Sequence, residues 1–130
     1  MATVTATLKK EKYTTTITTE NHTFLVDEPT QVGGADQAAS PLEYLASALA
    51  SCTAITIKMY AERKEWNLQE VSVKVDFTRN IQENTASAKK EITLNGNLSE
   101  EQKERLLTIG KQCPIHKILT NPVEIESFLV

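Results

Sequence analysis

The sequence predicts an α+β fold, in which strands and helices are partly segregated along the chain. Three observations indicate this class. A threonine-rich segment over residues 3–27 alternates as strands do, a long helical pattern follows over residues 40–64, and an alternating pattern over residues 71–94 separates that helix from two shorter ones. The predicted order of elements is therefore βββ-α-ββ-αα-β.

Length and charge limit the class of protein further. At 130 residues we expect a single domain, with N-terminal strands and a loop in residues 1–39 and a helix-centred remainder in residues 40–130. Apolar residues make up 40% of the chain, which is ordinary for a globular domain. The net charge of −3 gives no basic surface, so we expect no nucleic-acid partner.

No targeting or metal-binding pattern is visible. The N-terminal residues 1–7 lack the charged and apolar segments of a secretory signal, and no apolar run is long enough to span a membrane. We therefore expect a cytoplasmic protein without a membrane partner. The two cysteines, Cys52 and Cys113, stand 61 positions apart with no C-x-x-C pair. This spacing is typical of neither a disulfide framework nor a zinc site, and we expect no metal and no cofactor.

The first segment predicts three short antiparallel strands over residues 3–9, 12–19 and 22–27, because nine threonines alternate with apolar residues there. A sheet so thin and polar needs a partner to cover one face. The following residues 28–39 predict a loop that turns at Gly33 and Gly34, and they match no phosphate-binding glycine motif.

The long helix has a clear start. Ser40 is its predicted N-cap, Pro41 takes the first helical position, and Glu43 completes a capping box. Steps of three and four residues along the helix predict one stripe of core-facing side chains: Leu42, Leu45, Leu49, Cys52, Thr56 and Met59. Small residues between them predict close packing against a sheet and another helix.

The second half of the chain predicts two strands, two helices and a last strand. The strands fall over residues 71–78 and 86–94, and the first of the helices falls over residues 99–111, with a second capping box at its start. A short helix over residues 114–120 follows, and residues 123–130 predict the last strand.

Each cysteine allows two interpretations when it is read alone. Cys113 precedes Pro114 and is the predicted N-cap of the last helix, where free N–H groups and the helix dipole favour a thiolate. His116 lies close enough in the first turn to influence it. The other interpretation is a small residue at a helix junction. Cys52, on an apolar stripe, reads more simply as a buried hydrophobic residue.

Taken together, the two cysteine segments resemble the OsmC/Ohr family of osmotically inducible and organic hydroperoxide resistance proteins. The resemblance is carried by residues 33–56, which include S-P-L-E-Y-L-A-S-A-L-A-S-C, by residues 110–119, G-K-Q-C-P-I-H-K-I-L, and by L-N-G-N-L-S-E-E-Q over residues 94–102. It extends over nearly the whole chain and is closest to a small OsmC-like subgroup.

The resemblance implies both an assembly and an activity. The assembly is an intertwined homodimer in which two long helices pack centrally and sheets wrap around them. The activity is an antioxidant thiol peroxidase that responds to oxidative stress and reduces organic hydroperoxides. Cys52 matches the peroxidatic cysteine and Cys113 the resolving one, with a disulfide between them as the intermediate. The implied reductant is a small dithiol, which is lipoyl-type in the family.

One departure from the family concerns the cation that stabilises the thiolate. Well-studied members carry an arginine upstream of the long helix, whereas this chain has none before Arg63. Arg63, Arg79 and Arg105 are candidates for its place, and the sequence selects none of them. The missing arginine favours an alternative function, a redox-sensing or ligand-binding dimer with little peroxidase turnover.

A second departure concerns Glu43, a candidate catalytic residue. Many members place a glutamate ten residues before the helix cysteine, whereas Glu43 is nine before Cys52. Nine residues turn a helix by two and a half turns and advance it by roughly 13 Å, so Glu43 cannot reach Cys52 on its own straight helix. It can act on a thiol only from the other subunit, and its place in the capping box explains it without any catalytic role.

Overall fold

Three strands, a long helix, a β-hairpin and two further helices follow one another along the chain, which confirms the predicted α+β class. The computed structural model describes all 130 residues. The elements are β1 (Thr5–Thr7), β2 (Thr15–Thr18), β3 (Thr23–Val26), α1 (Pro41–Arg63), β4 (Asn67–Asn80), β5 (Thr85–Asn97), α2 (Glu100–Gly110) and α3 (Pro114–Leu119). Two compact units, Met1–Leu45 and Ala46–Val130, divide the chain within α1.

The N-terminal unit carries a three-stranded antiparallel sheet in the order β1-β2-β3. Ile17 at the centre of the sheet pairs with Ala6 on one side and with Phe24 on the other. All three strands are shorter than the sequence predicts, because pairing stops where the turn around residues 9–13 begins. Every residue of β1 is exposed, so the expectation that another element covers this sheet stays a prediction for the assembled protein.

Asp27 joins the end of β3 to the loop that follows it. The residue is 1% exposed, and its Oδ2 atom accepts hydrogen bonds from Thr14 Oγ1 at 2.8 Å and from the N–H of Gln37 at 3.1 Å. Its Oδ1 atom accepts from the N–H of Glu28 at 2.7 Å. The loop returns so closely that a Cβ atom on Gly34 would collide with the Glu28 carbonyl oxygen. This loop therefore requires a carboxylate and a glycine at these positions.

Replacing Asp27 with asparagine is expected to loosen this loop. Burial raises the pKa of Asp27, but the hydrogen bonds from the Glu28 and Gln37 N–H groups and from Thr14 outweigh it, and the pKa falls below its usual value of 3.8. Because an amide nitrogen cannot accept a hydrogen bond, the variant loses part of the set of hydrogen bonds that the Asp27 carboxylate accepts. We expect the Gln37 amide to exchange hydrogen for deuterium at least about tenfold faster.

The Asp27 carboxylate also predicts that the stability of the folded protein falls in acid. A pKa that is lower in the folded state stabilises the protein above about pH 3.8, and this stabilisation is lost as the pH falls through the folded value. Thermal unfolding across that range should therefore show a steeper acid loss in the wild type than in Asp27→Asn. Asp36→Asn is the matched control, because Asp36 is exposed in the same loop. Equal acid profiles for the wild type and Asp27→Asn would contradict this role.

Helix α1 faces the core of the second unit with a different stripe from the predicted one. The buried side chains are Leu49, Thr53, Ile57 and Ala61, at steps of four residues. Met59, which the predicted stripe includes, is 65% exposed. The two stripes share Leu49 and then diverge, because successive steps of four residues follow a different line along the helix from alternating steps of three and four. Cys52 lies beside the buried stripe and is half-buried.

The hairpin β4–β5 supplies the sheet of the second unit. Its pairing places Lys74 opposite Glu91 and Val73 opposite Ile92, and side chains of β4 alternate between half-buried and exposed, as the sequence predicts. A turn over residues 81–84 joins the two strands.

The core of the second unit lies where α1, α2 and the hairpin meet. Its buried side chains are Ile57, Ala61, Leu68 and Leu106, and half-buried residues of the hairpin, including Val71, Ile92 and Leu94, pack around them. The predicted capping box of α2 is confirmed by Ser99 and Gln102. At the other end of α2, a Cβ atom on Gly110 would come within 3.2 Å of the Ile57 and Ile92 side chains. The glycine thus lets the end of α2 approach both α1 and β5.

The predicted last strand over residues 123–130 is wrong for this chain. These residues form no strand and are exposed, with Ile125 at 82% and Phe128 at 81%. The alternation of apolar residues is present, but a strand also needs a neighbour whose backbone completes its hydrogen bonds, and no other segment pairs with this one. None of the helices combines the length and apolar character needed to cross a membrane.

Candidate functional site: a thiol cluster between α1, β5 and α3

Cys113 is held at the start of α3. Its backbone is extended and Pro114 follows at the first helical position, so Cys113 is the N-cap that the sequence predicts. The Sγ atom accepts a hydrogen bond from the backbone N–H of His116 at 3.2 Å. The side chain is completely buried. Its sulfur therefore faces the interior of the unit rather than solvent.

Helix α1 brings two consecutive side chains to this sulfur. Thr53 is completely buried, and its hydroxyl donates a hydrogen bond to Cys113 Sγ at 3.4 Å. Cys52 directly precedes Thr53 in the helix, and its thiol is near enough to contribute to the lowered pKa of Cys113. Both cysteines are free thiols. The two cysteines that the sequence singles out, 61 positions apart, are thus neighbours in the fold.

Strand β5 supplies a cation. The Lys90 ammonium nitrogen Nζ lies 3.1 Å from Thr53 Oγ1 and 2.9 Å from the carbonyl oxygen of Gly110. It also lies 2.9 Å from Nδ1 of His116. We call the set formed by these contacts the thiol cluster; its members are Cys52, Thr53, Lys90, Cys113 and His116.

The contacts within the thiol cluster favour a thiolate at Cys113. Burial raises the pKa of the Cys113 thiol, because it removes the charged form from water. Hydrogen bonds from the Thr53 hydroxyl, the His116 N–H and the Cys52 thiol lower it, and so does the positive charge of Lys90. The lowering contributions prevail, and the pKa of Cys113 falls below its usual value.

The two basic members of the cluster hold their protons less firmly than exposed residues do. Burial lowers the pKa of Lys90, and the positive charge of Lys111 lowers it further. The negative charges of Cys113 and Cys52 raise the pKa of Lys90, but the net shift is downward. Burial also lowers the pKa of His116, together with the charges of Lys90 and Lys111. Because an ammonium group can only donate, its 2.9 Å contact with Nδ1 is a hydrogen bond when the imidazole is neutral and carries its proton on Nε2.

None of the three arginines that the sequence offers as the missing cation donates to the thiol cluster. Arg63 and Arg105 lie over the ring of Tyr60, with Cζ at 5.2 Å and 5.5 Å from its centroid. Arg79 is exposed near the hairpin turn. Lys90 supplies a cation to the thiol cluster instead. The missing arginine, which favoured a binding protein with little turnover, therefore does not leave the thiols without a positive charge nearby.

Sequence reasoning missed Lys90, although the alternation of β5 contains a signal for it. Lys90, Ile92 and Leu94 are half-buried, whereas Lys89 and Glu91 are exposed. Lys90 therefore lies on the same face of β5 as the core-facing side chains, and a charged residue on that face needs a polar partner. Thr53 escaped notice as well, because a threonine within a helix carries no sequence signal of its own.

Glu43 lies at the start of α1, where the predicted capping box is confirmed. Its Oε1 atom accepts from the N–H of Ser40 at 3.1 Å, and its own N–H donates to Ser40 Oγ at 3.2 Å. Hydrogen bonds from the backbone and the side chain of Ser40 to the carboxylate lower the pKa of Glu43. The cap accounts for the residue within this chain, and a catalytic role for Glu43 stays a prediction.

The structure is that of an α+β protein in which a long helix, a hairpin and a helix cap converge on two free thiols. The chain belongs to the OsmC family: the family described as OsmC-like protein matches residues 33–128. This match confirms the resemblance that the two cysteine segments indicate. A comparison with curated proteins found no match.

Solved structures share the fold. An osmotic stress induced and detoxification response protein of Psychrobacter arcticus 273-4 superposes with a TM-score of 0.79 at 24% identity, covering 91% of this chain and 88% of that one. An OsmC-like protein of Mycoplasma pneumoniae gives 0.76 at 22% identity, with 92% and 87% covered. The organic hydroperoxide resistance protein OsmC of Legionella pneumophila gives 0.70 at 18% identity, with 92% and 88% covered.

Proposed function

We propose that this chain is a thiol-dependent peroxidase that reduces organic hydroperoxides, with Cys52 as the peroxidatic and Cys113 as the resolving cysteine. The observation that carries the proposal is the proximity of two free thiols to each other and to the half-buried ammonium group of Lys90. The hydrogen bond between Thr53, the neighbour of Cys52, and Cys113 brings the two cysteine segments together, which a disulfide between them requires. The family membership and the fold shared with a hydroperoxide resistance protein support this activity.

The proposed oxidative steps use both sulfurs in turn. The Cys52 sulfur gives up its proton and attacks one oxygen of the hydroperoxide, so that the O–O bond breaks and an alcohol leaves with a proton. Cys52 then holds a sulfenic acid. The Cys113 sulfur attacks the Cys52 sulfur, the S–O bond breaks, and the departing hydroxide takes a proton to become water. The product is a Cys52–Cys113 disulfide.

An external dithiol closes the cycle. Two thiol–disulfide exchanges transfer two electrons to the protein and leave the dithiol as its own disulfide, with no metal or organic cofactor in the cycle. We propose a small, lipoyl-type dithiol for this step.

The exposed face beside Cys52 favours an organic hydroperoxide over hydrogen peroxide. Ile55 and Met59 lie three and seven residues after Cys52, on the same face of α1, and are 54% and 65% exposed. Such a surface binds an alkyl chain by burying apolar area, which hydrogen peroxide cannot offer. It also suits helix packing in the homodimer that we propose for the assembled protein.

The formation of the intramolecular disulfide tests the proposal. Treating the reduced protein with one equivalent of an alkyl hydroperoxide should join Cys52 to Cys113, which peptide mass spectrometry detects as a linked pair. Hydrogen peroxide is the control oxidant, and we expect it to form the disulfide more slowly. Two free cysteines, or over-oxidised Cys52 beside a free Cys113, would contradict the assignment of Cys113 as the resolving residue.

A further inference from the structure

The hydrogen bonds of Lys90 leave its ammonium group no free proton. An ammonium group has three donors, and Nζ has three acceptors: Thr53 Oγ1, the Gly110 carbonyl oxygen and His116 Nδ1. The three contacts lie between 2.9 and 3.1 Å, which is the range of well-formed hydrogen bonds. Lys90 is therefore fixed by α1, the end of α2 and α3 together.

The position of Lys90 determines which way the Thr53 hydroxyl points. Because Thr53 Oγ1 accepts from Lys90, its single proton is directed away from the ammonium group and is donated to Cys113 Sγ at 3.4 Å. A directional chain of hydrogen bonds thus runs from Lys90 through Thr53 to Cys113. Each donor in such a chain is strengthened by the one before it.

The sulfur of Cys113 is surrounded by donors. It accepts from the Thr53 hydroxyl at 3.4 Å and from the His116 N–H at 3.2 Å, and the positive charge of Lys90 lies behind the first of these donors. These donors stabilise a negative charge on the sulfur, so Cys113 departs readily as a thiolate when a disulfide to it is broken.

We propose that Lys90, acting through Thr53, makes Cys113 the better leaving group, so that an external thiol opens the disulfide at Cys52 and Cys113 departs as a thiolate. The proposal deepens the proposed function, since it names the direction in which the reductant attacks. Lys90 touches neither sulfur through a hydrogen bond and is thus a positioning residue.

Two independent features direct the reductant to Cys52. Cys113 is completely buried, whereas Cys52 is half-buried, so the Cys52 residue is the more accessible to an incoming thiol. A disulfide also opens faster when the departing sulfur forms the more stable thiolate. The greater exposure of Cys52 and the greater stability of the Cys113 thiolate both favour a bond between the reductant and the Cys52 sulfur.

The reductive step balances as two exchanges. The thiolate of the reductant attacks Cys52 Sγ, the disulfide bond breaks, and its electron pair remains on Cys113 as a thiolate held by the Thr53 hydroxyl and the His116 N–H. The mixed disulfide on Cys52 is then attacked by the second thiol of the reductant, and Cys52 leaves and takes up a proton. The external dithiol is oxidised to its disulfide and the protein is returned to its reduced form.

Site-resolved trapping tests the direction of attack without any hydroperoxide. The protein is oxidised with diamide to its internal disulfide, exposed briefly to the monothiol 2-mercaptoethanol, quenched in acid and mapped by mass spectrometry. We expect the mixed disulfide on Cys52. A mixed disulfide on Cys113, or an equal distribution over both residues, would overturn the proposal. Because no hydroperoxide is used, the result is independent of whether the chain is a peroxidase.

Variants of Lys90 test whether its charge makes Cys113 the better leaving group. Lys90→Met removes the charge at similar length, and we expect monothiol attack on the disulfide to slow by about tenfold or more, because the departing Cys113 loses its stabilisation. Lys90→Arg retains the charge and should restore most of the rate. Equal rates for Lys90→Met and the wild type would overturn the role of Lys90.

The Thr53 hydroxyl allows a milder test that keeps the cation in place. In a Cys52→Ser background, the ultraviolet absorbance of the remaining thiolate is followed against pH. Thr53→Val keeps the shape of the side chain but cannot donate, so Cys113 should ionise at higher pH, whereas Thr53→Ser should ionise as the parent does. The charged and titratable groups that face the sulfur, Lys90, Lys111 and His116, are the same in all three proteins. An unchanged titration in Thr53→Val would contradict the relay through Thr53.

Discussion

Replacing Cys52 with serine is expected to abolish the reduction of an alkyl hydroperoxide, lowering the turnover rate by at least about 1,000-fold. A serine hydroxyl does not ionise near neutral pH and cannot form a sulfenic acid, so the proposed cycle has no first step. Cys52 is half-buried and serine is close to it in size, so the fold should survive the change. Stopped-flow measurement of hydroperoxide consumption in the presence of excess dithiol gives the rate.

Cys113→Ser is the matched variant for this experiment. Serine is a good N-cap and can accept from the His116 N–H, so α3 keeps its start while the resolving sulfur is lost. We expect rapid consumption of one equivalent of hydroperoxide, followed by slow turnover and a Cys52 sulfenic acid that dimedone traps. An unchanged rate in Cys52→Ser would remove this residue from the proposed mechanism.

Local sequence signals were sufficient for most of the fold. The capping boxes at Ser40 and Ser99, and the cap at Cys113, depend on residues within three positions of one another, and all three form as predicted. The alternation of β4 is likewise a local property of the strand. Such features follow from the sequence because their hydrogen bonds close within a single turn or along a single hairpin.

The candidate site was predicted only in part, because its connections are long-range. Cys52 and Cys113 were identified through a family resemblance, whereas the contacts of Thr53 with Cys113 and of Lys90 with Thr53 join residues 60 and 37 positions apart. No local pattern encodes these separations. The last predicted strand failed for a related reason, since alternation specifies the faces of a strand but does not provide the neighbour with which it pairs.

Leu106→Ala is expected to destabilise the second unit by about 2–5 kcal/mol, which is a large part of the roughly 5–15 kcal/mol that holds a typical domain folded. Leu106 is completely buried and lies in the core with Ile57, Ala61 and Leu68. Truncation removes its apolar contacts and leaves a cavity that the surrounding backbone cannot close, because Gly110 already brings α2 into close contact with Ile57. Equilibrium unfolding in urea, monitored by far-ultraviolet circular dichroism, measures the loss.

The neighbouring Leu107 provides the matched control for this prediction. It has the same chemistry and lies on the same helix, but it is 48% exposed, so Leu107→Ala should cost less than about 1 kcal/mol. The contrast between the two variants measures burial itself, because helix propensity changes equally in both. The Leu106→Ala protein should also lose protection of the thiol cluster, since α2 holds Gly110 and thereby one acceptor of Lys90. Equal destabilisation by the two substitutions would contradict the position of the core and, with it, the support that the core gives to Lys90.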